Sequence, residues 1–117
     1  MCFFVEKKNW RMKTAKRGIV VYKKMLWEGL GKTVESKFYP FPYELGRLYK
    51  TRFGRYHKTI NVGFHSYLPS KARRLDRCTG DDVMVRGCIP RGAHYYKNEK
   101  MGEYVSNQIV LKEIIRH

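Results

Sequence analysis

The sequence predicts a single small α+β domain over residues 1–117, with a mostly antiparallel, strand-rich sheet and one or two short helices. Three observations lead to this class. The 117 residues are 43% hydrophobic and include nine Tyr and six Phe, enough to bury a core. Short β-branched and aromatic runs recur along the chain, separated by Gly and Pro. The best helix candidate spans only about two turns.

The first half contains one clear strand and one interrupted segment. GIVVYKKML, residues 18–26, is β-branched and aromatic, and predicts a strand that opens after Gly18. FYPFPYELGRLY, residues 38–49, contains Pro40 and Pro42, which forbid a regular helix or a central strand. We expect an irregular or edge segment there, leading into a short strand or turn.

The middle of the chain predicts a turn, a strand and a helix in succession. The turn falls at Arg52-Phe53-Gly54-Arg55, and the KTINVGFHSY run after it predicts one strand that ends near Tyr67. SKARRLDR follows Pro69, and Ser70 is placed to cap a short helix.

The last third again predicts strands. DDVMVRGCIP, residues 81–90, indicates a strand with a bulge at Gly87 and an end at Pro90. A turn is expected from Asn98 to Gly102. NQIVLKEIIR, residues 107–116, has a composition that suits a helix as well, but its alternation favours a strand.

Several classes of protein are disfavoured. No run of about 18 apolar residues is present, so a membrane span is not expected. The start, MCFFVEKKNW, has apolar residues before its charges, the reverse of a secretory signal, which predicts a cytoplasmic protein. Three cysteines without CxxC spacing predict ordinary reduced thiols. The four histidines show no ligand spacing, so no metal site is predicted.

Net charge is the dominant feature of the composition. The chain carries 25 Lys and Arg against 10 Asp and Glu, a formal charge of +15. The cations are concentrated in two blocks without acids, Lys7 to Trp27 and Leu45 to Leu75. Such blocks favour a binding face for an anionic partner, nucleic acid first, then an anionic membrane surface or an acidic protein. The alternative is that the blocks fall on different faces and only raise solubility.

The candidate nucleic-acid contacts are cations and two interleaved aromatic rings on which bases can stack. Tyr49 and Phe53 also lie among cations, but suit a core role at least as well. The candidate cations are Lys7, Lys8, Arg11, Lys13, Lys16, Arg17, Arg52, Arg55, Lys58, Arg73, Arg74 and Arg77, and the rings are Trp10 and Tyr56.

GFHSY, VMVRGCIPRGAHYYKN and GEYVSNQIVLKEII resemble segments of small uncharacterised basic proteins encoded by phages and prophages, over roughly residues 18–116. The resemblance implies the cytoplasm of a bacterial host and a role against host nucleic-acid machinery. Its sharpest form is an anti-CRISPR protein, an inhibitor of an RNA-guided nuclease. The expected partner is nucleic acid, RNA ahead of DNA, or a host ribonucleoprotein or nuclease, and a DNA-contacting virion structural protein is an alternative.

A second resemblance is to the ADP-ribosyltransferase fold, through Phe64 to Tyr67, Ile89 to Ala93 and the GEYV strand. It implies NAD as cofactor and Glu103 as the residue that steers the attacking group. His65, Ser66 and Tyr22 are the accompanying catalytic candidates. The departures are Tyr22 in a strand where the family places a His or Arg, and a Ser-Thr-Ser step reduced to Ser66. His65 can equally be a structural histidine bonded to backbone, because neighbouring strand residues such as Ser66 face the opposite way.

Overall fold

A computed structural model describes residues 3–4, 11–27, 33–36, 42–56, 59–74 and 82–116. Strands dominate this part of the chain, which holds one short helix. The strands are β1 Phe3–Phe4, β2 Lys13–Thr14, β3 Ile19–Leu26, β4 Thr33–Ser36, β5 Pro42–Glu44, β6 Leu48–Lys50, β7 Gly54–Tyr56, β8 Thr59–Val62, β9 Phe64–Tyr67, β10 Asp82–Ile89, β11 His94–Asn98, β12 Glu103–Ser106 and β13 Gln108–Arg116, and the helix is α1 Pro69–Arg74.

The strands form two antiparallel sheets. Eight strands of the larger sheet follow the order β2-β11-β12-β9-β3-β10-β13-β6, and β4 joins it by pairing with β3 on one side and β5 on the other. The smaller sheet has the order β1-β8-β7. The strand-rich, mostly antiparallel architecture predicted from the sequence is therefore confirmed, with a single short helix in the described part.

The long strands β3, β10 and β13 form the centre of the larger sheet. β3 and β13 bury alternate residues such as Val21 and Leu111, because successive side chains of a strand face opposite sides, whereas β10 buries the consecutive residues Val83, Met84 and Val85. The sheet curls so that β5 approaches β6. The ring of Tyr43 packs edge-on against Tyr49 with their centroids 5.0 Å apart, and the Tyr49 hydroxyl accepts a hydrogen bond of 2.7 Å from the Glu44 amide.

The KTINVGFHSY run is two strands instead of the one predicted. The chain breaks at Gly63, so that β8 belongs to the small sheet and β9 to the large one. Gly63 has a φ of 148°, and a Cβ there would lie 2.5 Å from Cγ2 of Val105. A residue without a side chain is therefore required where the chain passes between the sheets.

The predicted helix is present, but it begins two residues earlier than a Ser70 cap implies. Pro69 is its first residue, and the Ala72 amide donates to the Leu68 carbonyl at 3.0 Å, so Ser70 lies inside the first turn and does not cap it. Proline suits this position because its missing N–H would have no partner there. The predicted turn at 52–55 is also wrong, because Gly54 and Arg55 already belong to β7.

The remaining strand predictions are confirmed. β3 opens directly after Gly18, and β10 ends before Pro90. The register between β10 and β13 shifts between Arg86 and Gly87, at the position predicted for a bulge, but the extra residue is Lys112 of β13 and not Gly87. The turn before Glu103 closes a hairpin of β11 and β12, and residues 108–116 form a strand.

Candidate nucleic-acid interface

Residues 11–17 form one border of the large sheet. β2 pairs with β11, and beyond it the Ala15 amide donates to the Ala93 carbonyl at 2.8 Å. The Gly92 amide donates to the Ala15 carbonyl, also at 2.8 Å. Ala15 is buried while its neighbours on both sides are exposed. The backbone is thus fixed by buried alanines and hydrogen bonds, and the cations of this segment face solvent.

The end of β6 reaches the same corner of the molecule. The Thr51 amide donates to the Asn107 carbonyl at 2.8 Å, and the Asn107 amide donates to the His94 carbonyl at 3.0 Å. His94 is in turn the register partner of Thr14, and their side chains lie 3.1 Å apart at Nδ1 and Oγ1. With about 4.8 Å for each of these three steps, Thr51 lies no more than about 15 Å from Thr14. Two cation-rich stretches that are far apart in sequence therefore meet.

We call the resulting cluster the strand-edge patch. All its members are exposed, and none takes part in the ion pairs of the described residues, which join Lys71 to Glu103, Arg86 to Glu113 and Lys97 to Glu99. The patch consists of Arg11, Lys13, Lys16, Arg17, Lys50, Arg52 and Arg91. Cations that are not paired with carboxylates produce a stronger positive potential, which attracts an external anion.

Arg73 lies elsewhere. Arg73 is exposed on α1 and lines a cleft of about 370 Å³ together with Tyr22, Pro69, Ala72 and Ile115. Ile115 is near the end of β13, whereas Gln108, at its start, is the register partner of Lys50. Seven residues of strand separate them by about 23 Å. The structure thus keeps Arg73 apart from the strand-edge patch.

Several predicted contacts have no described side chain. Lys7, Lys8, Trp10, Lys58 and Arg77 lie outside the described residues. For a further three candidates only the backbone is described, Arg55 and Tyr56 in β7 and Arg74 at the end of α1.

The two other aromatic residues near cations serve the core. Tyr49 packs on Tyr43, as described above, and the ring of Phe53 packs edge-on against Tyr96 with centroids 5.2 Å apart. The core interpretation of these two rings is therefore confirmed. The sequence did not single out Arg91 and Lys50 as contacts. Arg91 follows directly on the Ile89-Pro90 strand end, and that turn signal could have placed it at an exposed corner.

The transferase candidates are only partly brought together. Tyr22, Tyr67 and Glu103 are register partners across β3, β9 and β12, so their side chains share one face of the sheet. Ser66 projects from the other face. Glu103 opens β12, but its side chain is only 8% exposed and its Oε1 lies 3.2 Å from the Lys71 ammonium. Residues 89–93 end a strand and form a turn. Transferase activity and NAD binding stay predictions.

His65 lies beside an unexpected buried cation. The Lys23 ammonium donates a hydrogen bond of 2.7 Å to the His65 carbonyl. The contact lies beside the Tyr22–Tyr67 pair, through which β3 and β9 are joined. Burial lowers the pKa of Lys23 to about 8. Burial and the Lys23 charge lower the pKa of His65 to about 4, so its imidazole is neutral near pH 7. The Nε2 of His65 and the Oγ of Ser66 are buried without a hydrogen-bond partner in the described part.

This arrangement makes a weak general base of His65. A neutral imidazole with a pKa near 4 takes a proton poorly, and none of the described residues orients it through Nε2. The Lys23–His65 contact therefore fits a structural role better than catalysis. Nothing in the sequence pointed to it, because Lys23 follows Tyr22 in an ordinary amphipathic strand.

Among the described residues, no group of three or more His, Cys, Asp or Glu side chains is placed to hold a metal ion, and no helix is long and apolar enough to cross a bilayer. Comparison with protein families, curated proteins and solved structures finds no match for this chain. What the chain offers a partner must therefore be inferred from its own surface.

Proposed function

We propose that this protein binds the phosphate backbone of nucleic acid, free or within a host ribonucleoprotein, through the strand-edge patch. The observation that carries the proposal is the meeting of the 11–17 and 50–52 cations at the Thr51–Asn107–His94–Thr14 corner. Seven exposed cations without carboxylate partners at this corner have no role in the described packing. Their contribution to the stability of the fold is unfavourable, because like charges repel.

The mechanism is electrostatic. Each phosphate neutralised by Lys or Arg releases condensed counterions, which provides affinity without reading the base sequence. A duplex carries one charge per about 1.7 Å of its axis, so a patch about 15 Å across faces several phosphates at once. A protein that occupies the phosphates of a guide or target strand would block a nuclease that depends on them, and an anti-CRISPR inhibitor remains the sharpest form of this proposal.

The test measures binding of the nuclease-treated protein to a labelled single-stranded RNA and a duplex DNA by fluorescence anisotropy, over a series of salt concentrations. The main variant is the triple Lys13→Glu, Arg17→Glu and Arg52→Glu. If each of these cations contacts one phosphate, the slope of log K against log salt should become shallower by about 2 for the RNA and by about 3 for the DNA.

The matched control is the triple Arg73→Glu, Arg74→Glu and Arg77→Glu, which changes the net charge by the same amount in the 73–77 stretch of the sequence. We expect it to leave the slope nearly unchanged. A loss of slope in the helix triple alone would move the site to α1 and refute the strand-edge assignment. Failure of the wild-type protein to bind either nucleic acid at low salt would refute the whole proposal.

A further inference from the structure

A row of apolar side chains crosses the outer face of the large sheet. Val20 of β3 is the register partner of Cys88 in β10, Cys88 that of Val110 in β13, and Val110 that of Leu48 in β6. Directly opposed residues in antiparallel strands project to the same face, so these four side chains stand next to one another. Three spacings of about 4.8 Å make the row about 14 Å long. We call it the apolar row.

The row is exposed although its neighbours form the core. Val20 is 50% and Leu48 43% exposed, and the other two members are partly exposed. The residues that alternate with them, Val21, Ile109 and Leu111, are buried on the opposite face. An antiparallel sheet with one solvated face normally carries polar residues on that face. Part of this face is already covered, because α1 lies over Tyr22, but the cover does not extend to Val20 and Leu48.

Cations lie on both sides of the row. Lys50 is two residues beyond Leu48 along β6, and Lys112 is two residues beyond Val110 along β13. At the bulge, Lys112 and Glu113 both oppose Arg86. Glu113 forms an ion pair with Arg86, which leaves the charge of Lys112 without a carboxylate in the described residues. An apolar centre with a positive margin is the complement of an apolar stripe with a negative margin.

Two other occupants fit this surface less well. A second copy of the chain would bring the same Lys50 and Lys112 charges together, in a protein that already carries +15. Nucleic acid would find no aromatic ring in the row on which a base could stack. An amphipathic helix about 10–12 Å in diameter, with an aliphatic stripe between acidic side chains, matches both the length of the row and its margin.

We propose that the apolar row is a docking surface for an acidic amphipathic helix of a partner protein. The proposal rests mainly on the apolar side chains, and Lys50 is the one residue that this surface shares with the strand-edge patch.

The probe is a fluorescein-labelled 18-residue synthetic helix with Leu on one stripe and Glu on both sides, and a second peptide with Lys in place of Glu. We expect the acidic peptide to bind the full-length protein with a Kd of about 10–100 µM. The Lys peptide should bind at least about tenfold more weakly, because it meets Lys50 and Lys112 with like charge.

The variants separate apolar docking from general attraction to a cationic protein. Val20→Glu and Leu48→Glu should each weaken the acidic peptide about tenfold or more, since a charge replaces an apolar contact at the centre of the interface. Val62→Glu is the matched control, because Val62 is 46% exposed on β8, outside the row. RNA binding by Val20→Glu should stay within about twofold of the wild type, because the strand-edge patch is intact.

Three results would overturn the proposal. The first is no binding of the acidic peptide at a concentration of about 100 µM, which is the upper limit of the expected Kd. The second is equal weakening by Val62→Glu and Val20→Glu, which would show that net charge alone attracts the peptide. The third is dimerisation seen by light scattering and abolished by Leu48→Glu, which would assign the row to a second copy.

Discussion

Replacing Lys23 with methionine should remove most of the dependence of stability on pH between pH 7 and 9.5. Lys23 has a pKa of 10.5 when solvated and about 8 in the folded chain, because folding desolvates its ammonium. Between these values the unfolded chain binds more protons than the folded one, so the free energy of unfolding rises with pH. From pH 7 to 9.5 the rise attributable to Lys23 is about 2 kcal/mol.

The assay is urea denaturation of the wild type and Lys23→Met at pH 7 and pH 9.5. Tyrosine ionisation acts in the opposite direction at pH 9.5, because burial raises the pKa of Tyr43 to about 12 while unfolded tyrosines have a pKa of about 10. This contribution is common to the wild type and Lys23→Met, and it cancels when the two are compared. The diagnostic quantity is the change in the free energy of unfolding between pH 7 and pH 9.5. The absolute stability of the variant is not diagnostic, because two effects oppose each other. Removal of a buried charge raises the free energy of unfolding, and loss of the 2.7 Å hydrogen bond to the His65 carbonyl lowers it.

The control is Lys100→Met at an exposed position of the β11–β12 turn, which should keep the wild-type rise with pH. If Lys23→Met shows the same rise as the wild type, Lys23 is not desolvated in the folded protein and the reasoning fails. If the Lys100 variant loses the rise as well, the effect belongs to overall charge.

Two further outcomes follow from the same corner of the sheet and from its hairpin. The wild type should lose about 2 kcal/mol of stability as the pH falls from 6.5 to 4.5, because folding lowers the pKa of His65 and the unfolded chain therefore takes up the proton first. His65→Gln should remove that loss, as measured by urea denaturation at both pH values. Gly102→Ala should lower the free energy of unfolding by about 1–3 kcal/mol, because the residue has a φ of 68° and a Cβ would lie 2.8 Å from Cβ of Lys71. An unchanged thermal unfolding midpoint in Gly102→Ala would contradict that placement.

The strand predictions succeeded where the local signal was strong. β3 and β10 are bounded by Gly18 and Pro90, and the β-branched residues between these limits alternate regularly. The single strand predicted for KTINVGFHSY failed, because Gly63 sends its two halves into different sheets. A glycine inside an alternating run is compatible with a bulge, a break or a continuous strand. Only the close approach of Val105 decides among these, and Val105 lies 42 positions further along the chain.

The candidate interface was predictable in kind but not in position. Composition and blocks of like charge indicated a cationic surface, since these are properties of the chain itself. Which blocks share a surface depends on long-range pairing. The 11–17 and 50–52 segments meet through Asn107 and His94, whereas Arg73 of α1 shares a cleft with Ile115 near the other end of β13. No local pattern contains those hydrogen bonds.

The sequence by itself determined the strand-rich class, most of the long strands and the excess of positive charge, because each depends on residues adjacent in the chain. Tertiary structure alone decided that Lys23 lies between buried Val21 and Met25, that Glu103 is paired with Lys71, and that Val20 and Leu48 stand in one exposed row. The physical reason is that burial, pairing and pKa depend on neighbours in space. In an antiparallel sheet, those neighbours come from strands distant in the sequence.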